Sequence, residues 1–256
     1  MEILKVRKLE KIYRGKIAYK ALSDVNLTIN KGEFVGIMGP SGSGKTTLLN
    51  LISTIDSPTF GEILIQGENP HHLSPSELAL FRRKELGLVF QSFNLLDTLT
   101  VKENILLPLT LDSVSLENMQ KNLDVISKKL GIQDILNKRT YEISGGQAQR
   151  TAIARALIYR PQLILADEPT GNLDSKATEA VMELLTRLNK DQDMTMMLVT
   201  HDPVAASYCD RVIFIKDGKL YNEIYCGDNR QRFYQDIINV SSLIGGKKYN
   251  FTSTLI

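Results

Sequence analysis

The chain has 256 residues, of which 43% are hydrophobic, enough for one sizeable core or for one domain with a subdomain. Its 31 basic and 29 acidic residues give a formal net charge of +2, which is too balanced to indicate nucleic acid or an anionic membrane surface as a partner. The two cysteines, Cys209 and Cys226, form no Cys-x-x-Cys pair, and we expect free thiols in a reduced, cytosolic setting.

No targeting or membrane-spanning segment is predicted. The first residues, MEILKVRKLEKIY, lack the long apolar region and the small-residue cleavage site of a signal peptide. The best apolar stretches, such as QLILA and MTMMLV, have the length of a strand and fall short of the ~18 apolar residues that cross a bilayer.

Two kinds of strand pattern predict an α/β fold with a small antiparallel layer. Near the N-terminus, that layer is predicted from the runs ILKVRKL, VNLTI and GEILIQG. The later runs are continuously apolar, as in parallel strands covered on both faces: FVGIM, LGLVF, LILAD, MTMMLVT and RVIFIKDG. Helical patterns alternate with them, including KTTLLNLIS, Lys176 to Asn189 and Pro203 to Ser207.

Two helical regions interrupt or follow this alternation. Between about Thr100 and Arg160 the pattern is almost exclusively helical, which predicts a helical subdomain, about residues 92–160, inserted in a main domain of residues 1–228. Residues 229–256 are predicted as an appended extension. It begins as an amphipathic helix and ends in a polar tail, and its candidate buried positions are Phe233, Ile237, Ile238 and Val240.

The stretch GPSGSGKTTLLN, which begins at Gly39, fits the pattern GxxxxGK[ST] between a strand and a helix. In such a loop, backbone N–H groups converge on phosphate oxygens, Lys45 supplies a point charge and Thr46 can ligate Mg²⁺. An ordinary Gly/Ser turn would match by chance about once in 100 sequences of this length, so phosphate binding is favoured. The predicted phosphate-binding residues are Gly39, Pro40, Ser41, Gly42, Ser43, Gly44, Lys45, Thr46 and Thr47.

Two acidic residues follow the apolar run LILA. Asp167 is predicted at the carboxyl end of a strand, where it can hold Mg²⁺, and Glu168 can orient an attacking water. For an isolated Asp-Glu pair, a solvated loop with a helix cap would be the better interpretation, but a phosphate loop in the same chain favours catalysis.

A second predicted anion site begins the helix ISGGQAQRTAIARAL, at Ser144, Gly145, Gly146 and Gln147. One nucleotide cannot occupy both helix ends, and the motif alone could be a flexible turn. With the phosphate loop and the DEPT sequence in this order, the chain resembles the ATP-binding-cassette (ABC) ATPases. The resemblance implies the RecA-like core of a P-loop NTPase, and a head-to-tail homodimer that encloses two ATP molecules with Mg²⁺.

Further roles are implied residue by residue. Tyr13, with Tyr19 as the alternative, resembles the aromatic residue that stacks on adenine. Gln91 resembles the glutamine that touches Mg²⁺ and couples to a membrane partner, and Asp174 resembles the acidic residue that acts across the dimer interface. His201 resembles the histidine that contacts the γ-phosphate. The resemblance thus implies a catalytic set of Lys45, Gln91, Glu168 and His201, and Mg²⁺ ligands Thr46, Gln91 and Asp167.

The competing class within this family acts on DNA or ribosomes. Such proteins usually carry two cassettes or long insertions, whereas this chain has one motif set and a short helical insertion, so a transporter subunit without a nucleic-acid partner is favoured. Its transmembrane permease is expected to dock near Phe93–Leu99, where apolar residues crowd; the alternative is that these residues form an internal core. The expected location is the cytoplasmic face of the membrane, held there by the permease.

Longer stretches resemble particular branches of the family. LLDTLTVKENILLPL and EPTGNLDS are similar to macrolide-export, lipoprotein-release and cell-division cassettes. THDPVAASYCDRVIFIKDG and RQRFYQDIINVSSLIGG are closer to the bacitracin-type antimicrobial-peptide resistance transporters. In that branch the membrane subunit frees lipid-linked cell-wall precursors from peptide antibiotics and can signal to a sensor histidine kinase.

Overall fold

The computed structural model describes residues 1–15 and 17–245. A three-stranded antiparallel sheet contains β1 (Glu2–Tyr13), β2 (Tyr19–Asn30) and β4 (Phe60–Ile65), in the order β2-β1-β4. These strands contain the first two runs from which the antiparallel layer was predicted and most of the third, which extends two residues past β4, so the predicted antiparallel layer is confirmed. The predicted polar tail after Gly245 lies outside the described residues.

A second sheet has six strands in the order β5-β6-β7-β3-β8-β9. They are β3 (Phe34–Met38), β5 (Leu86–Phe90), β6 (Leu163–Asp167), β7 (Thr195–Val199), β8 (Arg211–Lys216) and β9 (Lys219–Tyr225). The first five strands in this order are parallel, as predicted, and β3 and β7 are buried along their whole length. Strand β9 pairs antiparallel with β8 and was not predicted, because its residues are mostly exposed and lack an apolar run.

Eight α-helices accompany the sheets within the described residues. They are α1 (Lys45–Ile52), α2 (Pro75–Glu85), α3 (Val101–Leu111), α4 (Leu116–Leu130), α5 (Gly145–Leu157), α6 (Ser175–Gln192), α7 (Pro203–Ala206) and α8 (Arg230–Ile244). Helices α3 to α5 form the predicted helical region, and residues 92–100 before them are not helical. Helix α2 was not predicted because it buries no residue; its start is fixed by a capping box between Ser74 and Glu77.

Helix α8 packs against α7 and β9. Phe233, Ile237 and Val240 are buried as predicted, whereas Ile238 is only half-buried and Ile244 takes the fourth buried position. The buried stripe thus follows a spacing of three or four residues, which a neighbouring pair such as 237 and 238 cannot satisfy. These four buried side chains belong to the main apolar cluster, so the helix is packed on the core of the chain.

Two apolar clusters cover the two faces of the six-stranded sheet. One joins β3 to α1 and the antiparallel sheet, for example through Val35, Leu48 and Ile63. The other joins the sheet to the helical region, for example through Ile105 and Ile153. Burial on both faces explains why the parallel strands are continuously apolar.

Within residues 1–15 and 17–245, no helix combines the length and the apolar character needed to cross a membrane. Both cysteines are free: Cys209 is buried and Cys226 is half-buried.

Arg211, at the start of β8, ties the two sheets together. Its side chain is 9% exposed, and its Nε lies 2.5 Å from Glu33 Oε1. Its two terminal nitrogens donate to Glu223 on β9 and to the carbonyl oxygen of Thr28 on β2. A buried guanidinium with two carboxylates and a carbonyl is fully partnered, and its removal would leave the half-buried Glu33 without its counter-charge.

We therefore expect Arg211→Met to lower the free energy of unfolding by about 3 kcal/mol, because the stranded carboxylate loses its partner. Urea unfolding measures this loss. The matched control is Arg7→Met, which removes an exposed cross-strand pair with Glu62 and should cost no more than about 1 kcal/mol. Equal losses in the two variants would contradict the importance of the buried pair.

Candidate functional site

The loop between β3 and α1 has a backbone that only glycine fits at two positions. Gly39 has φ 153°, and a Cβ there would lie 2.1 Å from the carbonyl oxygen of Ile215. Gly44 has φ 106°, and a Cβ there would lie 2.7 Å from the carbonyl oxygen of Ala21. Gly44 is also the N-cap of α1 and provides no side-chain cap, so the first N–H groups of the helix are left for another acceptor.

Lys45 is buried within this loop. Its Nζ donates to the carbonyl oxygens of Gly39 and Pro40, each at 2.9 Å. Burial lowers the pKa of the Lys45 ammonium, and the nearby carboxylates of Glu168 and Asp167 partly oppose that shift. The loop therefore holds a desolvated positive charge whose only hydrogen-bond partners among the described residues are neutral carbonyl groups.

The hydroxyl groups of Ser43 and Thr46 differ in their exposure. The Ser43 Oγ is buried and has no hydrogen-bond partner among the described residues, whereas Thr46, next to Lys45, is exposed. A buried hydroxyl without a partner is costly, so an oxygen-rich ligand in the loop would satisfy it. The loop thus fits a phosphate group by its N–H groups, its charge and its unpaired hydroxyl.

Asp167 ends β6, two strands away from β3 in the sheet. Burial raises the pKa of its carboxyl group, Glu168 raises it further, and Lys45 lowers it. Gln91 follows β5, whose last residue, Phe90, is paired with Asp167. The carboxylate, the amide oxygen and the Thr46 hydroxyl are hard oxygen ligands of the kind that Mg²⁺ prefers, so this donor set fits the ion.

Glu168 adopts a left-handed backbone with φ 47°, which costs about 1–2 kcal/mol for a residue with a side chain. Its Oε1 lies 2.8 Å from His201 Nδ1. Its Oε2 accepts from the Thr200 hydroxyl at 3.3 Å and from the His201 N–H at 3.4 Å. Since a carboxylate only accepts hydrogen bonds, the first contact places a proton on Nδ1. Thr200, which sequence reasoning missed, thus helps to hold Glu168.

Glu168 and His201 line an open cleft of ≈ 660 Å³. The His201 side chain is 73% exposed, whereas that of Glu168 is 18% exposed. The carboxylate is therefore held by the protein on one side while the imidazole remains accessible.

Gln91 is joined to the segment that follows Glu168. Its Nε2 donates to Asn172 Oδ1 at 3.3 Å, and Asn172 Nδ2 donates back to the Gln91 carbonyl at 3.0 Å. Gly171 packs so closely that a Cβ there would lie 2.6 Å from Gln91 Nε2. The Gln91 amide oxygen takes no part in these contacts. Asn172 was missed because nothing in its sequence context links it to residue 91.

Asp174 acts as the N-cap of α6 in this chain. Its Oδ1 accepts from the Ala177 N–H at 2.8 Å. Its predicted action across a dimer interface stays a prediction.

The second predicted anion site lies at the N-terminus of α5. The Ser144 hydroxyl accepts from the Gln147 N–H at 3.3 Å, and Gln147 Oε1 accepts from the Ser144 N–H at 2.9 Å. Gly145 lies against Leu173 and is exposed. In the part of the chain that the structure describes, no hydrogen bond joins residues 144–147 to residues 39–47.

Both candidate tyrosines lie next to the phosphate loop. They are paired across β1 and β2. The Tyr13 hydroxyl donates to Asp56 Oδ2 at 3.0 Å, and the Tyr19 hydroxyl donates to the Gly42 carbonyl at 3.3 Å. Tyr13 is 40% exposed and Tyr19 is 55% exposed, so either ring can meet a base and both alternatives remain.

The predicted docking segment, Phe93–Leu99, forms an exposed loop. Leu96 is 47% exposed, while Phe93 is half-buried. The backbone of Leu96 is held by the fully buried Asn104, which accepts from its N–H at 2.8 Å and donates to its carbonyl at 3.1 Å. The segment therefore presents one exposed apolar side chain, Leu96, on a backbone held by Asn104, while Phe93, Leu95 and Leu99 are half-buried. Docking at this segment stays a prediction.

Comparison with known proteins gives a consistent result. The sequence profile of the ABC transporter family matches residues 22–171. Over 251 residues, the chain is 61% identical to the ABC transporter ATP-binding protein YxdL of Bacillus subtilis (strain 168), with 98% of each chain covered. Over 248 residues, it is 49% identical to the bacitracin export ATP-binding protein BceA of Halalkalibacterium halodurans, covering 96% of this chain and 98% of BceA.

A solved structure agrees. The dimeric structure of the ABC transporter cassette MJ0796, from Methanocaldococcus jannaschii, matches with a TM-score of 0.80 and 43% identity, covering 87% of this chain and 98% of MJ0796. Another structure of MJ0796 is a post-hydrolysis state bound to ADP and Pi. The family profile matches more than half of this chain, and relatives such as YxdL align over nearly the full length of both chains. This chain therefore belongs to the ABC transporter family, as an ATP-binding subunit with ATPase activity.

Proposed function

We propose that this chain is the ATPase of a transporter for resistance to antimicrobial peptides of the bacitracin type. The observation that carries the proposal is its similarity, over almost the full length of both chains, to the bacitracin export protein BceA. The chain would act as a homodimer beneath a transmembrane permease, at the cytoplasmic face of the membrane. A sensor histidine kinase in the same complex would link transport to signalling.

The arrangement of the two anion sites supports the dimer. The N-terminal end of α5 is exposed at Ser144 and Gly145, and residues 144–147 have no hydrogen bond to residues 39–47 in the described part of the same chain. Two copies related head to tail would place each helix end on the phosphate loop of the other copy. The similar cassette MJ0796 has been solved as a dimer.

In this proposal Lys45 and the N–H groups of the loop hold the β and γ phosphates, with Tyr13 or Tyr19 beside the adenine. Phosphate oxygens would give the buried Lys45 ammonium negative partners in addition to the two carbonyl groups that hold it now. Thr46, Gln91 and Asp167 would hold Mg²⁺, which neutralises charge that develops on the phosphates.

In this proposal Glu168 orients the attacking water. Its carboxylate is fixed by Thr200 and His201, and its backbone is held in a left-handed conformation. The exposed His201 would meet the γ-phosphate and bring Glu168 into line with it. The catalytic effect then comes mainly from positioning and charge, as expected for phosphoryl transfer.

Replacing Glu168 with Gln should keep ATP binding but slow turnover by about 100-fold or more, because the water loses its orienting carboxylate. ATPase rates of the purified transporter and the fraction of closed dimer with ATP are the measurements. Glu183→Gln, an exposed position on α6 outside the cleft, is the matched control and should behave like the wild type. Turnover of Glu168→Gln at the wild-type rate would refute the role of Glu168.

The docking segment supports a membrane partner. Replacing Leu96 with Asp should weaken association with the permease by about 10-fold or more, because a charge would replace an apolar side chain at the interface. Copurification of the cassette with its permease measures the effect. Leu116→Asp is the control, since Leu116 is 84% exposed at the start of α4 and lies outside the docking segment. Normal copurification of Leu96→Asp would argue against docking at this segment.

The physiological proposal is tested in the host. Deleting the gene should lower the minimal inhibitory concentration of bacitracin-type peptides, and the wild-type gene should restore it whereas the Glu168→Gln form should not. Unchanged sensitivity to these peptides, with a changed sensitivity to macrolides or a defect in lipoprotein release, would place the chain in another branch of the family.

A further inference from the structure

We propose that Arg155 is a positioning residue that fixes the docking segment to helix α5, so that contact with the permease at Phe93–Leu99 is transmitted to Ser144–Gln147 at the other end of that helix. This inference rests on the proposed docking function. Arg155 touches neither ATP nor the permease in this proposal and acts through the two segments that it joins.

The geometry of Arg155 is specific. It lies in the last turn of α5. Its Nη1 donates to the Asn94 carbonyl at 2.5 Å, and its Nη2 donates to the Phe93 carbonyl at 2.9 Å. Within residues 1–15 and 17–245, no carboxylate forms an ion pair with it. Burial lowers the pKa of the guanidinium, yet an arginine remains charged at neutral pH. The charged guanidinium therefore donates hydrogen bonds to two backbone carbonyls of the docking segment.

The backbone of the docking segment is shaped for this contact. Phe93 has φ 61° and Asn94 has φ 49°, so two successive residues with side chains are left-handed. Such a conformation is rare for an aromatic residue and persists only where its surroundings hold it. The two carbonyls accept from the two terminal nitrogens of one guanidinium, which suits its planar fork. A lysine has one ammonium group and cannot reproduce that fork.

The docking segment is also fixed at points other than Arg155. The Phe93 ring lies beside the N-terminal end of α5, with its Cζ 4.0 Å from the position of a Cβ on Gly145. Asn104 of α3 holds the backbone of Leu96. The segment thus contacts α5 at both of its ends, and a helix of 13 residues transmits a displacement as a rigid body.

The experiment compares Arg155→Gln with the wild type in the assembled transporter. We expect the permease to copurify as before, ATP affinity of the isolated cassette to be unchanged, and permease-stimulated ATPase activity to fall by about 2- to 30-fold, the range for residues that carry coupling between sites. Arg155→Lys keeps the charge but not the fork and should show a smaller loss. Arg150→Gln is the matched control: it removes the same group from the same helix, where Arg150 donates to the Leu130 carbonyl instead.

A local measurement separates this role from a general effect on stability. Amide hydrogen exchange at residues 93 and 94 of the isolated cassette should accelerate in Arg155→Gln and stay unchanged in Arg150→Gln. Should Arg155→Gln fail to fold, Arg155→Lys takes its place in both measurements.

Three results would overturn the inference. They are wild-type stimulation by the permease in both Arg155 variants, loss of the permease from the complex, and wild-type exchange at residues 93 and 94. A failure of the docking proposal is recognised separately, by normal copurification of Leu96→Asp.

Discussion

The shared edge at which five parallel strands end is the constraint on which the site depends. Strand β3 leads into the phosphate loop, and β5 leads into Gln91. Strand β6 leads into Glu168, and β7 leads into the Thr200–His201 pair. The parallel register places Phe90 beside Asp167, and Asp167 beside Val199. Residues far apart in sequence are therefore neighbours because the sheet is parallel, and its two apolar faces hold that register.

Much of the fold and the motif residues could be predicted, because their signals are local. Continuous apolar runs indicate strands that are buried on both faces, and the phosphate loop has a spacing that seldom arises by chance. Strand β9 and helix α2 were not predicted because they bury few side chains. Strand β9 is held by its pairing with β8, and α2 begins at a capping box. Which of Tyr13 and Tyr19 stacks on adenine could not be predicted either, since the two are paired across neighbouring strands beside the phosphate loop.

Contacts between segments that are distant in the sequence could not be predicted from it. Thr200 holds Glu168, Asn172 holds Gln91, and Arg155 holds the docking segment, each through hydrogen bonds that join distant parts of the chain. The left-handed backbones of Glu168 and Phe93 were equally hidden, because neither residue type favours that conformation. In both cases tertiary contacts impose the geometry, and in both cases the residue belongs to a segment with a proposed role.

The cap at the start of α6 has a consequence for association. Asp174 uses Oδ1 to accept from the Ala177 N–H, which fixes the direction of the carboxylate and leaves Oδ2 uncommitted. In the proposed dimer, that side chain would meet the second copy already pre-organised. Association would then not have to restrict the rotamers of Asp174. The entropic cost of immobilising a side chain, about 0.5–1.5 kcal/mol, would already have been incurred when the chain folded.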